Sequence, residues 1–224
     1  MSLPSFLGFL FSFFVVVFTF THMIKMYQKI YSLAICYNGF MSRLTFITGN
    51  ENKARQLMAW LDFPLLHKKI DLAEIQTLDL EELVRHKALE AYSKIKQPAL
   101  VDDTALSFHA LGKLPGTFVK FFLKELELEG CCRLLDSFSD RSATALVMYG
   151  LTIDGVIVHT FLGETTGSIA KHPVGELGYG WDALFTPKDE SRTFGEMSQD
   201  EVISFSPRAK AIGQLKKFLS TKLA

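Results

Sequence analysis

A short turn carries residue types that suit phosphate binding. It contains Thr48, Gly49, Asn50, Glu51, Asn52 and Lys53. Residues 43–48 are typical of a strand, and a turn from a strand into a helix presents backbone N–H groups at the positive helix end, where phosphate binds well. Gly49 lets a ligand approach the backbone closely, and Lys53 adds a positive charge. The alternative is an ordinary turn, in which Asn50 or Asn52 caps the helix and no ligand binds.

Two adjacent carboxylates follow a short apolar segment. Asp102 and Asp103 come directly after residues 99–101, which we interpret as a strand that ends at the acids. Because successive side chains of a strand point to opposite faces of a sheet, the two acids should make different contacts. Carboxylates are common ligands of Mg²⁺, and Glu74, in a polar loop, is a candidate for a second oxygen ligand. The alternatives are that the aspartates cap the next turn and that Glu74 is solvated.

A third candidate segment combines aromatic side chains, glycines and an acid. It reads Gly178, Tyr179, Gly180, Trp181 and Asp182. Aromatic rings stack on nucleobases, and a carboxylate can accept a hydrogen bond from a base edge. The alternative is that Trp181 belongs to the core and the glycines form turns, as the run at residues 121–123 is interpreted as core.

Three cations could add charge to such a site. Lys87, Lys120 and Arg208 lie far apart in the chain. They would matter only if the fold brings them to one anionic ligand; otherwise they are exposed surface residues.

Periodicity predicts the elements that must position these residues. Apolar spacing predicts helices over about residues 50–61, 80–95, 118–128 and 207–219. Strands are predicted at 43–48, 66–72, 99–101, 143–152 and 156–162, the last two joined by a hairpin at Asp154-Gly155. Residues 172–180 are rich in Gly and Pro and are predicted to form a loop. This order predicts an α/β or α+β fold with a mixed sheet.

Composition excludes several classes of protein. The chain has 224 residues, 24 basic and 24 acidic, and a pI near 7.0. A charge-balanced chain that is 48% hydrophobic is neither disordered nor broadly basic, so no nucleic-acid polymer is expected as a partner. Three cysteines without a metal-binding spacing favour reduced thiols in a cytosol-like compartment.

Residues 1–40 differ from the rest of the chain. They contain no acidic residue, and residues 3–24 contain no charge. That stretch is long enough to span a bilayer, which takes about 20 apolar residues, and the lysines after it would keep the rest of the chain cytoplasmic. The competing interpretation is translated upstream sequence, with Met41 as the working start. We favour this second interpretation because a strand is predicted almost directly after Met41, so that residues 41–224 form the functional domain.

Five segments in this order resemble the inosine triphosphate pyrophosphatase family. They are TFITGNENK, KIDLAEIQ, VDDTALSFHALGKLPGTFVKFFL, GYGWDALFTP and SPRAKA, and they extend over residues 45–211. The resemblance implies a two-lobed α/β domain around a long mixed sheet, with a nucleotide in the cleft, and a homodimer. It also implies Mg²⁺-dependent cleavage of ITP, dITP and XTP between the α- and β-phosphates, giving the monophosphate and pyrophosphate.

The resemblance also assigns roles to individual residues. Thr48, Gly49, Asn50, Glu51, Asn52 and Lys53 match a phosphate-binding turn. Glu74 and Asp103 match metal ligands, and Asp103 also matches the catalytic base. Thr104, Lys87 and Lys120 match substrate contacts. Tyr179, Gly180, Trp181 and Asp182 match the segment that binds the base.

One region departs from the family pattern of a Lys-Asn pair followed by Ser-His-Arg. Val202 stands in place of the lysine and Pro207 in place of the histidine, while Ser206 and Arg208 persist as substrate-binding candidates. The departure motivates two rivals to an active ITP pyrophosphatase. One is a nucleotide-binding protein with little turnover, tethered to a membrane if residues 3–24 are an anchor. The other is the same chemistry with altered base specificity, such as damaged pyrimidines.

Overall fold

The computed structural model describes residues 44–222 of the chain. Within this range the strands are β1 (Thr45–Ile47), β2 (Leu66–Lys68), β3 (Ala99–Phe108), β4 (Pro115–Gly116), β5 (Ser142–Thr152), β6 (Val158–Ile169) and β7 (Phe185–Pro187). The α-helices are α1 (Glu51–Leu61), α2 (Leu80–Ile95), α3 (Val119–Arg133), α4 (Gln199–Phe205) and α5 (Pro207–Lys222). The predicted extension, residues 1–40, lies outside the described residues. No helix between residues 44 and 222 is both long and apolar enough to cross a bilayer.

The described strands form one mixed sheet. Its order is β2-β1-β3-β5-β6-β7, with β4 paired to β3 off this path. β1 pairs in parallel with β2 and β3, and the remaining pairs are antiparallel. The long central strands β3, β5 and β6 therefore give the site a rigid floor, because each is hydrogen-bonded along nearly its whole length.

Helices cover the sheet and position charged side chains over it. α2 buries Val84, Ala88 and Ala91 against a cluster that includes Val101 of β3, which is the helical spacing that the sequence predicted. α5 packs close to β6, where a Cβ on Gly163 would lie 1.8 Å from the Pro207 carbonyl oxygen. Only glycine permits this approach, and it sets where Arg208 at the start of α5 enters the interior.

The structure confirms the predicted α/β fold with a mixed sheet, and it corrects several elements. The prediction that a strand ends at Asp102 and Asp103 is wrong: β3 continues to Phe108, because β5 pairs with all ten of its residues. The strand predicted at 66–72 is only β2, and the strand predicted at 156–162 is β6, which begins later and continues to Ile169. β7 and α4 were not predicted. The helix predicted to end near residue 128 runs to Arg133, with a break at Glu127, whose φ is 57°.

Candidate active site

A cleft of about 1440 Å³ opens beside the middle of β3. Its lining comes from the β1–α1 turn, the segment after β2, the starts of α3 and α5, and the loop before β7. The candidate site residues from the sequence all line this cleft except Asn52 and Gly178. The fold therefore brings together segments that are more than 150 positions apart in the chain.

The β1–α1 turn is capped by its own side chains. Asn50 Oδ1 accepts hydrogen bonds from the backbone N–H groups of Asn52 (2.9 Å) and Lys53 (3.2 Å). Thr48 Oγ1 accepts from the Asn50 N–H at 3.2 Å. These side chains therefore occupy three N–H groups that a phosphate could otherwise take. A phosphate at this turn would depend on the other backbone groups and on the Lys53 side chain.

Asp102 is the centre of a buried ionic network. Its side chain is 1% exposed, and Oδ2 lies 3.3 Å from Lys53 Nζ and 2.7 Å from Arg208 Nη1. The same Arg208 nitrogen donates to the Tyr149 hydroxyl at 2.9 Å. Burial alone would raise the pKa of Asp102, but the Lys53 and Arg208 cations outweigh it and the pKa is lowered. Asp102 is therefore held as a carboxylate that fixes two cations at the edge of the cleft.

Asp103 has a different set of partners, as the alternation of a strand predicts. Its Oδ2 accepts from Lys87 Nζ at 2.7 Å, and Oδ1 accepts from the Thr104 N–H at 2.7 Å. Lys87 Nζ also lies 3.4 Å from Glu74 Oε1. Burial would lower the pKa of Lys87, but the nearby Asp103 carboxylate reverses this effect and the pKa is raised. One ammonium group thus holds Asp103 and Glu74 together.

Glu74 and Asp103 together offer carboxylate oxygens to a metal ion. Among residues 44–222, no group of three or more His, Cys, Asp or Glu side chains is placed to hold a metal. Glu74 and Asp103 nevertheless offer oxygen donors within 3.4 Å of one cationic nitrogen. Mg²⁺ is typically bound by one or two carboxylates together with substrate phosphates. The oxygen donors of the pair therefore fit a Mg²⁺ ion whose remaining ligands include a phosphate.

The loop before β7 places Tyr179 and Asp182 in the lining of the cleft. Asp182 Oδ2 accepts from the Tyr179 N–H at 2.7 Å. Gly178 has φ of 79°, and a Cβ there would lie 2.2 Å from Asp182 Oδ2, so the turn requires glycine. Burial raises the pKa of Asp182 to about 6, although the Tyr179 N–H and Arg208 oppose the shift. Trp181 both lines the cleft and packs partly buried against the core, so the two interpretations of this residue combine.

Val202 and Pro207, the two departures from the family pattern, also line the cleft. Val202, on α4, lines the cleft and packs against the hydrophobic core. Ser206 Oγ accepts from the backbone N–H groups of Arg208 (3.1 Å) and Ala209 (3.4 Å), so it caps α5. Pro207 occupies the first position of α5, which proline favours. Arg208 is 5% exposed, and its contact to Asp102 joins this part of the cleft to β3.

Three residues that line the cleft were missed or misinterpreted from the sequence. The Tyr179 hydroxyl donates to Gln56 Oε1 on α1 at 2.8 Å. Lys69 follows β2 beside the β1–α1 turn. Phe121, which was interpreted as core, is 56% exposed at the cleft. Gln56 and Lys69 carry no local signal, since their relevance depends on partners from distant segments.

The fold and the cleft define an α/β protein with clustered charges at one part of its cleft and an aromatic, acidic loop at another. Sequence comparison gives this class a name: residues 44–218 match the Ham1 family. The match covers most of the chain, and the chain belongs to this family.

Relatives and solved structures agree with this assignment. The chain is 42% identical over 177 residues to inosine triphosphate pyrophosphatase 2 of Trypanosoma cruzi, covering 78% of this chain and 90% of that protein. It is 36% identical over 182 residues to the dITP/XTP pyrophosphatase of Saccharolobus solfataricus, covering 80% and 94%. A HAM1 protein from Coxiella burnetii superposes with a TM-score of 0.72 at 25% identity, covering 80% of this chain and 98% of that one. The Staphylococcus aureus Ham1 protein has the same fold, with a TM-score of 0.70 at 22% identity, covering 80% and 100%.

Proposed function

We propose that the protein hydrolyses deaminated purine nucleoside triphosphates, ITP, dITP and XTP, to the nucleoside monophosphate and pyrophosphate. Relatives at 36–42% identity bear the names inosine triphosphate pyrophosphatase and dITP/XTP pyrophosphatase, and they align along most of their length. The observation that carries the proposal is the cluster of Asp103, Lys87 and Glu74 in the cleft that also contains the β1–α1 turn.

Asp103 acts as the general base in this proposal. Its carboxylate takes a proton from water, the water oxygen bonds to the α-phosphorus, and the bond from that phosphorus to the bridging oxygen breaks, so that pyrophosphate leaves with the bridging oxygen. General-base assistance of this kind is worth about 10²–10⁴ in rate. Lys87 donates to Asp103 Oδ2 and lies beside Glu74 Oε1, so it fixes both carboxylates before the substrate binds.

Glu74 and Asp103 are the residues that would hold Mg²⁺. Bound there, the ion would neutralise phosphate charge and polarise the phosphoryl oxygens. A triphosphate carries about four negative charges, and preorganised cations must offset them before water can attack. Lys53, Lys87 and Lys120 line the same cleft, where their ammonium groups are placed to contact the phosphates.

The loop with Tyr179, Gly180, Trp181 and Asp182 holds the base in this proposal. Its aromatic faces suit stacking, and Asp182 suits a hydrogen bond from the base edge. Arg208 lies near Tyr179, where its charge opposes the effect of burial on the Tyr179 pKa. A donor at this position suits the carbonyl oxygen at C6 of a deaminated purine and would leave the adenine amino group unpaired.

The remaining family expectations are proposals of the same kind. We expect a homodimer, which light scattering would detect as twice the chain mass. The chain should act on nucleotides in the cytoplasm. That residues 41–224 form the functional domain without residues 1–40 remains a prediction.

Release of pyrophosphate from a panel of nucleotides tests the function. Purified protein with Mg²⁺ should release pyrophosphate from ITP, dITP and XTP at a much higher kcat/KM than from ATP or GTP. Tight binding of ITP without pyrophosphate release would support the rival, a binding protein without turnover. Preference for a modified pyrimidine triphosphate would retain the chemistry and change the substrate.

A further inference from the structure

The cations that line the cleft are equal in number to the carboxylates that line it. Six cationic side chains line it, Lys53, Lys69, Lys87, Lys120, Lys124 and Arg208, and so do six carboxylates. A lining that is balanced in this way has no excess positive charge for a polyphosphate with about four negative charges. A cationic side chain without a carboxylate partner is therefore the one best able to bind the polyphosphate of the substrate.

The three deep cations are committed to protein carboxylates. Lys53 and Arg208 share Asp102, and Lys87 is paired with Asp103 and Glu74. An ammonium that is already neutralised by a carboxylate at 2.7 Å attracts a phosphate less strongly than a free one. These side chains are well suited to fix geometry, but they leave most of the substrate charge to other groups.

Lys69 is the uncommitted cation of the set. Lys120 lies 4.0 Å from Glu74, and Lys124 lies 3.9 Å from Glu125. Between residues 44 and 222, no carboxylate oxygen approaches Lys69 Nζ within 4.0 Å. Its charge is therefore available to a ligand.

The backbone holds Lys69 next to the β1–α1 turn. The Thr48 N–H donates to the Lys68 carbonyl oxygen at 3.2 Å, and His67 Nε2 lies 3.0 Å from the Thr48 carbonyl oxygen. These contacts join the end of β2 to the turn. Lys69 Cε would lie 3.9 Å from a Cβ on Gly49, so the lysine stem runs alongside the glycine where a ligand could approach the backbone.

We infer that Lys69 is a further substrate-binding residue, which contacts the polyphosphate and the pyrophosphate product. The inference rests on the proposed function for its natural ligand and on the geometry above for its position. Lys69 binds the phosphate tail as a point charge and makes no contact with the base, which the loop at residues 179–182 holds elsewhere in the cleft.

The test compares Lys69→Gln with Lys68→Gln, a matched control one position away whose side chain does not line the cleft. Lys69→Gln should raise KM for ITP about threefold to fivefold, the size expected for an exposed charge contact, and change kcat little. The inhibition constant of pyrophosphate should rise by a similar factor, while that of IMP should not change. Lys69→Arg should restore KM, and added NaCl should weaken binding less in Lys69→Gln than in the parent.

Equal KM and pyrophosphate inhibition in Lys69→Gln and Lys68→Gln would overturn the inference. Calorimetry with inorganic tripolyphosphate separates this result from a failure of the proposed function. If the parent releases no pyrophosphate from any nucleotide, weaker tripolyphosphate binding by Lys69→Gln alone would still support the phosphate contact. No difference between the two variants, or no binding by the parent, would refute it.

Discussion

The two ends of the cleft are built on different kinds of structure. At the proposed phosphate end, comprising residues 48–53, Glu74, Lys87 and Asp103, most side chains stand on a strand, a helix or a capped helix start, and ion pairs hold them in place. At the proposed base end, comprising residues 179–182, Val202 and Arg208, a glycine-dependent loop meets the starts of two helices. This difference suggests that the chemistry is fixed by the rigid sheet, whereas base selection can change with the loop.

The largest expected effect is at the phosphate end. Asp103→Asn should lower kcat for ITP by about 10²–10⁴ or more, because the variant loses the proposed general base and a candidate metal ligand. Nucleotide affinity should fall by a smaller factor. Steady-state kinetics and ITP binding measured on the same protein check this. A nearly normal kcat would remove Asp103 from the mechanism.

Asp102→Asn should affect stability more than chemistry. The substitution leaves Lys53 and Arg208 without a buried counter-charge, and breaking a buried pair costs about 3–5 kcal/mol. For a domain of this size, that lowers Tm by roughly 10 °C. Its kcat should fall less than that of Asp103→Asn.

Asp62→Asn is the matched control for this stability measurement. The Asp62 side chain is 87% exposed and pairs with Lys216 at 3.5 Å on the surface, where such a pair contributes little. Thermal unfolding should show almost no change. Equal Tm losses in the two variants would argue against a structural role for the Asp102 network.

Arg208 tests how far the base end sets selectivity. Arg208→Lys keeps a charge near Asp102 but loses the planar donor group, and a lost hydrogen bond to the C6 oxygen is worth about 1–3 kcal/mol. The ratio of kcat/KM for ITP over ATP should fall about tenfold. Tyr179→Ala should weaken the binding of ITP and of ATP by a similar factor, because aromatic stacking depends little on which base is bound. An unchanged ratio in Arg208→Lys would mean that selectivity is determined elsewhere.

The last expected effect is a pH dependence of stability at Asp182. Its pKa is raised to about 6 by burial, whereas an unfolded aspartate titrates near pH 4. The folded state therefore binds the proton more tightly, so this group's contribution to stability is present at low pH and is lost as the pH rises from about 4 to about 6. Thermal unfolding from pH 4 to 7 should show this loss in the parent and not in Asp182→Asn. An identical pH profile in both proteins would contradict the raised pKa.

Local patterns predicted the phosphate end better than the base end. The spacing of apolar residues gave the bounds of α2, and the sequence of the β1–α1 turn indicated the Asn50 cap that the structure shows. The prediction that the strand ends at Asp102 was wrong because the length of β3 depends on its pairing with β5, which begins more than 30 residues later. The contact of Arg208 with Asp102 joins positions 106 apart, and no local signal reports such a pairing. Phe121 was misassigned because an aromatic run in a helix resembles a buried stripe until the open side of the cleft is known.

The most direct test of separate ends is a comparison of Glu74→Gln and Asp182→Asn on ITP and ATP. Measuring kcat/KM for pyrophosphate release from both nucleotides gives the overall loss and the selectivity ratio for each variant. Glu74→Gln should lower kcat/KM for ITP and for ATP by the same large factor and leave their ratio unchanged, because the proposed role of Glu74 is at the phosphates, which ITP and ATP share. Asp182→Asn should keep more activity and change the ratio. A changed ratio in Glu74→Gln with an unchanged ratio in Asp182→Asn would contradict the account.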